Sequence, residues 1–185
     1  MASESIPAGR PSADAMYQEV ATDYGPALQR LARAYEADPD RRLDLLQEIH
    51  FHLWRSLADF AGRCSLRTWV YRVAHNVAAS HIAKSRRSSR MQAGLEDLEA
   101  LPAAPDSEAA LAGRSALDRL LRLIERLKPL DRQVILSYLE GLDAASIAEI
   151  TGLSSGNVAT KIHRIKGILA RQFHEGEHHA QRRPQ

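Results

Sequence analysis

The chain has 185 residues, which is enough for one or two small domains. Apolar residues make up 44% but aromatic residues only 5%, and this Ala-, Leu- and Ile-rich composition favours an all-α protein over a β-sandwich. The single cysteine, Cys64, excludes a disulfide framework within one chain, and no apolar run approaches a membrane span, so we expect a cytoplasmic protein without membrane insertion.

The net charge is only +2, but the charged residues are segregated along the chain. Seven Lys or Arg and no acid lie in residues 63–90, five acids and no base in residues 91–108, and four bases and no acid in residues 155–173. Two basic surfaces separated by an acidic stretch indicate two contacts with a polyanion.

The N-terminal part begins with residues 1–12, which are small and polar, so we expect disorder there. An apolar face with helical period follows from Ala13 to Tyr35. The dipeptide Gly25-Pro26 is expected to kink or divide this helix.

Two further helices are predicted in the first half, over residues 42–57 and 66–87. Leu43, Leu45 and Trp54 widen the apolar stripe of the first of them. Trp69 is expected in the core in preference to stacking on bases. Another arc of the later helix forms a basic strip with small residues: Arg72, His75, Ala79 and Arg86.

The end of this basic segment has two interpretations. Lys84, Arg86, Arg87 and Arg90 could be a solvated helix end, where cations suit the helix dipole. Arginines earlier in the segment extend the charge along its whole length, which favours nucleic acid. Asn76 is a poor helix former within this helix and could hydrogen-bond an exposed base.

Residues 90–107 contain two prolines and show no sustained period, so we interpret them as a linker. It would join two small helical domains, residues 13–89 and residues 108–174. Residues 175–185 are polar and are expected to form a disordered tail.

The second half predicts an apolar helical stripe over residues 117–127, which Pro129 ends. Asp131 is a plausible N-cap for a helix over residues 132–140. A short helix over residues 144–151 follows.

The stretch from Leu142 to Leu169 predicts a helix-turn-helix. Gly152 suits the left-handed position after a helix end, and Ser154 can cap the following helix. That helix has one apolar stripe and an opposite polar face: Asn157, Thr160, Lys161 and Arg164. An ordinary solvated face would usually mix charge signs, so the absence of acids favours contact with DNA phosphates.

Eight histidines invite a metal hypothesis, but His50 and His52 point to different helix faces, and His75 and His81 are also poorly spaced. We expect no metal site and no cofactor. No P-loop, nucleophile elbow or HExxH motif occurs in the sequence, so we expect neither an enzyme nor a small-molecule substrate.

Two long stretches carry motifs that can be compared with a known family. The first, DLLQEIHFHLWRSLADFAGRCSLRTWVYRVAHNVAASHIAKSRR, contains DLLQE, an aromatic-glycine loop and TWVYRVAHN followed by basic residues. The second is LKPLDRQVILSYLEGLDAASIAEITGLSSGNVATKIHRIKGIL. Their order and spacing resemble the bacterial RNA polymerase sigma factors of the extracytoplasmic-function (ECF) type, over nearly all of residues 24–173.

The resemblance implies an alternative sigma factor that binds core RNA polymerase, directs it to −10/−35 promoters and helps melt the DNA. Its partners would be core polymerase, promoter DNA and an anti-sigma factor. Two rival hypotheses are a helix-turn-helix regulator that acts without core polymerase and a structural helical protein.

The resemblance also implies site residues. Asn76 would hold a flipped base of the −10 element, and the loop from Phe60 to Ser65 would capture it. The −10 residues would be Phe60, Arg63, Ser65, Arg72, Asn76, Lys84, Arg86 and Arg87. The −35 residues would be Ser155, Asn157, Thr160, Lys161, His163 and Arg164. The polymerase-binding residues would be Asp44, Gln47 and Glu48.

Overall fold

The computed structural model describes residues 12–92 and 116–181, without the side chains of residues 86, 88–92 and 175–181. Within these ranges the chain forms helices and no strands, which confirms the all-α prediction. The helices are α1 (Ala13–Tyr35), α2 (Pro39–Leu57), α3 (Leu66–Gln92), α4 (Ala116–Glu125), α5 (Pro129–Leu139), α6 (Ala144–Thr151) and α7 (Ser155–Gln181). Most of the predicted linker and N-terminal disordered segment lies outside the described residues.

The first three helices form one bundle because each presents an apolar stripe to the others. Helix α2 contacts both α1 and α3, and those two also contact each other. Leu28, Leu45 and Leu53 are completely buried between them. Burial of such a side chain contributes about 1.5–3 kcal/mol, so these positions hold the bundle together.

The starts of α1 and α2 agree with local sequence signals, but the middle of α1 does not. The side chains of Ser12 and Asp38 cap the two helices by accepting backbone N–H hydrogen bonds at 3.1 and 2.9 Å. Helix α1 continues through Pro26, so the proline does not divide the helix. Val20 and Leu28, on either side of the proline, are buried in the same core and stabilise the helix across the lost hydrogen bond.

The C-terminal domain has the predicted helix-turn-helix, formed by α6 and α7. The Asp143 side chain accepts the N–H of Ser146 at 2.7 Å and caps α6. Gly152 ends that helix with a φ of 74°, in the left-handed region where we predicted it. Ser154 accepts the N–H of Asn157 at 3.3 Å, which confirms the predicted cap of α7.

Several helix boundaries differ from the predicted ones; α2, for example, begins at Pro39 and not at residue 42. Helix α5 begins at Pro129, since proline is favoured in a first helical turn, and Asp131 therefore lies inside the helix instead of capping it. Helix α3 continues to Gln92, past the predicted start of the linker, and α7 continues to Gln181, through part of the predicted tail. Neither extension contains a proline, so nothing in these stretches forces the helix to stop.

The two domains pack against each other through α1 with α4 and through α3 with α5 and α6. His75 of α3 is fully buried between them, with Nδ1 3.0 Å from the hydroxyl of Tyr35 and Nε2 3.0 Å from that of Ser137. Burial lowers the pKa of His75 to about 3, so its imidazole is neutral. The prediction that His75 belongs to an exposed basic strip was therefore wrong.

Candidate nucleic-acid interface

The loop between α2 and α3 holds two aromatic rings together. The ring centroids of Phe60 and Trp69 are 5.5 Å apart. Trp69 is partly buried against the core, as predicted. Gly62, with a φ of 70°, turns the loop, and the Ser65 hydroxyl accepts a backbone N–H at 3.0 Å at the start of α3. The loop that the family resemblance assigns to base capture is thus anchored at both ends.

A cavity of about 170 Å³ lies between this loop and the first turns of α3. It is lined by Phe60, Ala61, Arg63, Cys64, Trp69 and Arg72, and from α6 by Glu149. The fold therefore brings three predicted −10 residues, an aromatic and two arginines, to one concave site. The wall provided by Glu149 belongs to the other domain.

Two polar side chains of α3 lie at this cavity or one turn beyond it. Arg72 Nη2 is 3.5 Å from Glu149 Oε2, and Arg72 Nε is buried without a hydrogen-bond partner in the described part of the chain. Asn76 lies four residues further along α3, on the same face, and is exposed. A guanidinium N–H donor and an amide can together bind the hydrogen-bonding edge of a base.

The other predicted −10 residues are more scattered. Arg63 and Ser65 are exposed in the loop, and Lys84 and Arg87 are exposed near the far end of α3. Lys84 is twelve residues from Arg72, which is about 18 Å along a helix. Lys84 and Arg87 can therefore contact a bound strand only at some distance from the part that Arg72 contacts. The side chain of Arg86 lies outside the described ones.

The first turns of α7 present the predicted −35 face to solvent. Among the residues predicted for it, five are exposed: Ser155, Asn157, Thr160, His163 and Arg164. The Thr160 hydroxyl donates to the carbonyl of Gly156 at 3.0 Å. The opposite face packs Val158 and Ile165 into the core, so α7 has the division of faces expected of a recognition helix.

Two cations of α7 bind one buried carboxylate. Lys161 Nζ is 2.6 Å from Asp131 Oδ1, and Arg164 Nη2 is 2.8 Å from Asp131 Oδ2. Asp131 comes from the first turn of α5 and was predicted only as a cap. This arrangement holds both cations against Asp131 and offsets part of their charge.

Helix α2 carries the predicted polymerase-binding residues on a partly apolar surface. Asp44 and Gln47 are exposed, whereas Glu48 is half-buried with Oε2 3.2 Å from His81 Nδ1. The same helix exposes three large apolar side chains, with exposed fractions of 59% for Leu43, 54% for Phe51 and 47% for Trp54.

The core prediction for Leu43 and Trp54 was therefore wrong. The other side of α2 supplies Leu45, Ile49 and Leu53, which already fill the space against α1 and α3. Helical spacing puts the exposed side chains on the same face as Gln47, and a contiguous apolar patch of this kind marks a docking surface.

Sequence patterns did not predict the ion pairs of three acidic residues at these surfaces: Asp131, Glu140 and Glu149. Each pairs with cations on another helix, and the pair from Arg30 to Glu140 spans 110 residues. Local periodicity carries no information about such distant pairs.

None of the helices in the described ranges is both long and apolar enough to cross a membrane. The helix-turn-helix, the basic face of α3 and the cavity at its start define a two-domain, DNA-binding transcription factor.

Comparison with known proteins identifies the family. The family model for "Sigma-70 region 2" matches residues 20–88, and that for "Sigma-70, region 4" matches residues 117–169. The chain is 30% identical over 137 residues to the ECF RNA polymerase sigma-E factor of Haemophilus influenzae, covering 68% of this chain and 71% of that protein. It is 27% identical over 165 residues to the sigma factor CnrH of Cupriavidus metallidurans, covering 83% and 84%.

Two solved structures share the fold. The complex of sigma factor RpoE with the anti-sigma factor NepR from Bartonella quintana matches with a TM-score of 0.66 at 21% identity, covering 86% of this chain and 96% of that one. The structure of CnrH with the cytosolic domain of CnrY matches with a TM-score of 0.61 at 20% identity, covering 86% and 88%.

The chain belongs to the ECF-type RNA polymerase sigma factors. It is an alternative sigma factor, which directs core RNA polymerase to promoter DNA.

Proposed function

We propose that residues 13–89 read and melt the −10 element and that residues 108–174 read the −35 element as duplex DNA. The protein would act in the cytoplasm, where core polymerase works. It would perform no covalent chemistry and need no metal or cofactor, because RNA synthesis is the reaction of the polymerase.

The observation that carries the melting role is the cavity at the start of α3, with Asn76 exposed one helical turn beyond its lining residue Arg72. A base that leaves the duplex would enter this cavity against Phe60 and Trp69, and stacking on an aromatic ring suits any base. Asn76 and the guanidinium of Arg72 would then hydrogen-bond its edge. Capture of an extruded base offsets the cost of unpairing and so stabilises the melted strand.

Recognition of the −35 element would depend on the exposed face of α7. Asn157 and Thr160 offer short polar groups to base edges in the major groove, while Lys161 and Arg164 contact bases or phosphates. Ser155 and His163 flank this face, at its start and at its edge.

Protein partners would bind α2 and the domain surfaces. We propose that core polymerase docks on Asp44, Gln47 and Glu48 together with the exposed Phe51 and Trp54. The two solved relatives are bound to CnrY and to the anti-sigma factor NepR, which supports a proposal that an anti-sigma factor also controls this chain.

The test begins with in vitro transcription by core polymerase on genomic DNA to map start sites. On a mapped promoter, Asn76→Ala should reduce permanganate-detected opening about two- to tenfold, the effect of one lost hydrogen bond. Its affinity for core polymerase should not change. Ser80→Ala is the matched control, since Ser80 is exposed one turn further along α3.

Equal loss of opening and of polymerase binding in Asn76→Ala would contradict the base-capture role. Specific promoter protection in the absence of core polymerase would instead support the rival hypothesis of a regulator that acts alone.

A further inference from the structure

A groove between α1 and α2 combines cationic and apolar side chains. Its volume is about 440 Å³. Six of its lining residues are arginines or apolar residues: Pro26, Arg30, Arg33, Arg42, Leu43 and Leu46. No acidic side chain among those that the structure describes lines this groove. Because cations and apolar groups lie together here, the groove suits a ligand that carries both carboxylates and aliphatic side chains.

The three arginines of the groove have donors to spare. The Arg42 guanidinium makes no ion pair or side-chain hydrogen bond within the described part of the chain. The side chains of Arg30 and Arg33 are 54% and 47% exposed, and each binds one carboxylate of the C-terminal domain. A guanidinium has five N–H donors, so both arginines can bind a further carboxylate.

The apolar part of the groove is open to solvent. Leu43 directly follows Arg42 and is 59% exposed, whereas Leu46 is partly buried against the core. Covering an exposed leucine removes apolar surface from water and contributes free energy in proportion to the area covered. A ligand that only paired with the arginines would leave this contribution unused.

The linker of the same chain carries the complementary groups. Residues 91–108 contain five acids and no base. Within them, residues 95–101 have the sequence LEDLEAL, in which three leucines are separated by carboxylates. The charge of this segment is opposite to that of the groove, and its leucines match Leu43 and Leu46. Opposite charges and apolar groups on both sides are what a specific contact requires.

Both ends of the linker start beside the groove. Helix α3 passes it about two turns before its end, where Arg41 Nη1 donates to the Ser85 hydroxyl at 3.2 Å. Arg41 is the neighbour of Arg42. On the other side, Asp118 in the first turn of α4 binds Arg33, which lines the groove itself. The chain therefore leaves α3 and enters α4 next to the same cations.

The linker is long enough to reach the groove from either end. Residues 93–115 can span at most about 75 Å, at about 3.3 Å per residue. A second cavity, of about 260 Å³, shares Arg33 and Arg42 with the groove and continues to Leu121 of α4. Tethering gives a linker segment an effective concentration on the order of millimolar, so a weak contact is sufficient for binding.

We propose that residues 95–101 of this chain bind in the groove between α1 and α2. Their carboxylates pair with Arg42 and with the remaining donors of Arg30 and Arg33, and their leucines cover Leu43. The acidic linker is thus a ligand of the N-terminal domain in the free protein. This contact does not depend on the proposed roles of α3 and α7 at the promoter.

The test places a nitroxide spin label in the linker of the full chain. The label is attached to Ala100→Cys in a chain whose own cysteine is replaced, Cys64→Ser. It broadens the NMR signals of methyl groups that lie near it. We expect strong broadening of the Leu43 and Leu46 methyl signals, independent of protein concentration. The spectrum with the nitroxide reduced reports whether each variant is folded.

Arg42→Ala should reduce this broadening about two- to fivefold, the effect of one lost ion pair that is partly exposed. Its matched control is Arg41→Ala, because Arg41 is the adjacent arginine and does not line the groove. Glu96→Gln/Glu99→Gln should act like Arg42→Ala. Its control, Asp106→Asn/Glu108→Gln, removes the same charge from the linker outside residues 95–101 and should leave the broadening unchanged.

Raising the salt should release the segment without any change to the groove, which keeps the test independent of how well a variant folds. Three results would overturn the proposal: unbroadened Leu43 methyl signals, equal broadening in Arg41→Ala and Arg42→Ala, or broadening that increases with protein concentration. The last would assign the groove to the linker of a second copy. Promoter-specific transcription with core polymerase tests the proposed function separately.

Discussion

Arg164 of the recognition helix donates to the buried carboxylate of Asp131 at 2.8 Å. Asp131 belongs to α5, the helix that precedes the helix-turn-helix, and it also binds Lys161 at 2.6 Å. One side chain therefore orients both cations of the −35 face and offsets part of their charge before DNA arrives. The modest basicity of this domain is consistent with a module that polymerase holds in place.

Asp131→Asn should release these two cations to DNA phosphates. Each additional phosphate contact steepens the slope of log K against log salt by about 0.9, so we expect a change of about 0.9 to 1.8 on duplex DNA. Anisotropy titrations at several salt concentrations measure it, with Asp23→Asn on α1 as the control of equal charge change. A weaker affinity with an unchanged slope would mean that Asp131 acts only by positioning Arg164.

Arg164→Ala should weaken transcription that depends on the −35 element and leave the −10 interaction intact. Loss of a specific base contact costs about 1–3 kcal/mol, or about five- to 150-fold in affinity. Arg171→Ala, an exposed residue further along the same helix, provides the control. An unchanged footprint over −35 would remove Arg164 from the recognition face.

Phe51→Ala should weaken binding to core polymerase without lowering thermal stability. The side chain is already 54% exposed in the free protein, so its removal leaves no cavity. An aromatic side chain that becomes buried at an interface often contributes more than 1 kcal/mol, which is more than about fivefold in Kd. Competition for core polymerase measures the effect, and His52→Ala, its exposed neighbour, is the control. Equal affinities of the two variants would refute docking through this face.

His75 should make the free energy of unfolding depend on pH. Its pKa is about 3 in the folded chain because of burial, and 6.5 is its ordinary value. The unfolded chain therefore binds a proton below about pH 6.5 that the folded chain excludes, so stability is complete above that pH and falls as pH decreases. The contribution is at most about 1.4 kcal/mol per pH unit.

Urea unfolding at about pH 7 and about pH 5 tests this prediction. His75→Gln should lose less stability than the wild type between the two pH values, whereas the exposed His52→Gln should lose as much as the wild type. Parallel loss in all three proteins would show that His75 does not cause the dependence.

Helix positions and the helix-turn-helix could be predicted because they depend on neighbours in the chain. Apolar spacing indicated each helix, and Gly152 and Ser154 marked the turn through backbone conformation and capping. The predictions failed where a distant contact decides the outcome. Pro26 stays within a helix because Val20 and Leu28 share a core, and Trp54 is exposed because other residues of α2 fill that core.

The sequence by itself determined the class of protein, an all-helical chain with two basic segments and the motifs of an ECF sigma factor, because period, capping and residue order are local properties. Only the tertiary structure decided which charged side chains are paired within the protein and which remain available to bind DNA. Asp131 binds Arg164 from 33 residues away, and Glu140 binds Arg30 from 110 residues away. Electrostatic pairing depends on distance in space, and the folding of the helices against one another sets that distance.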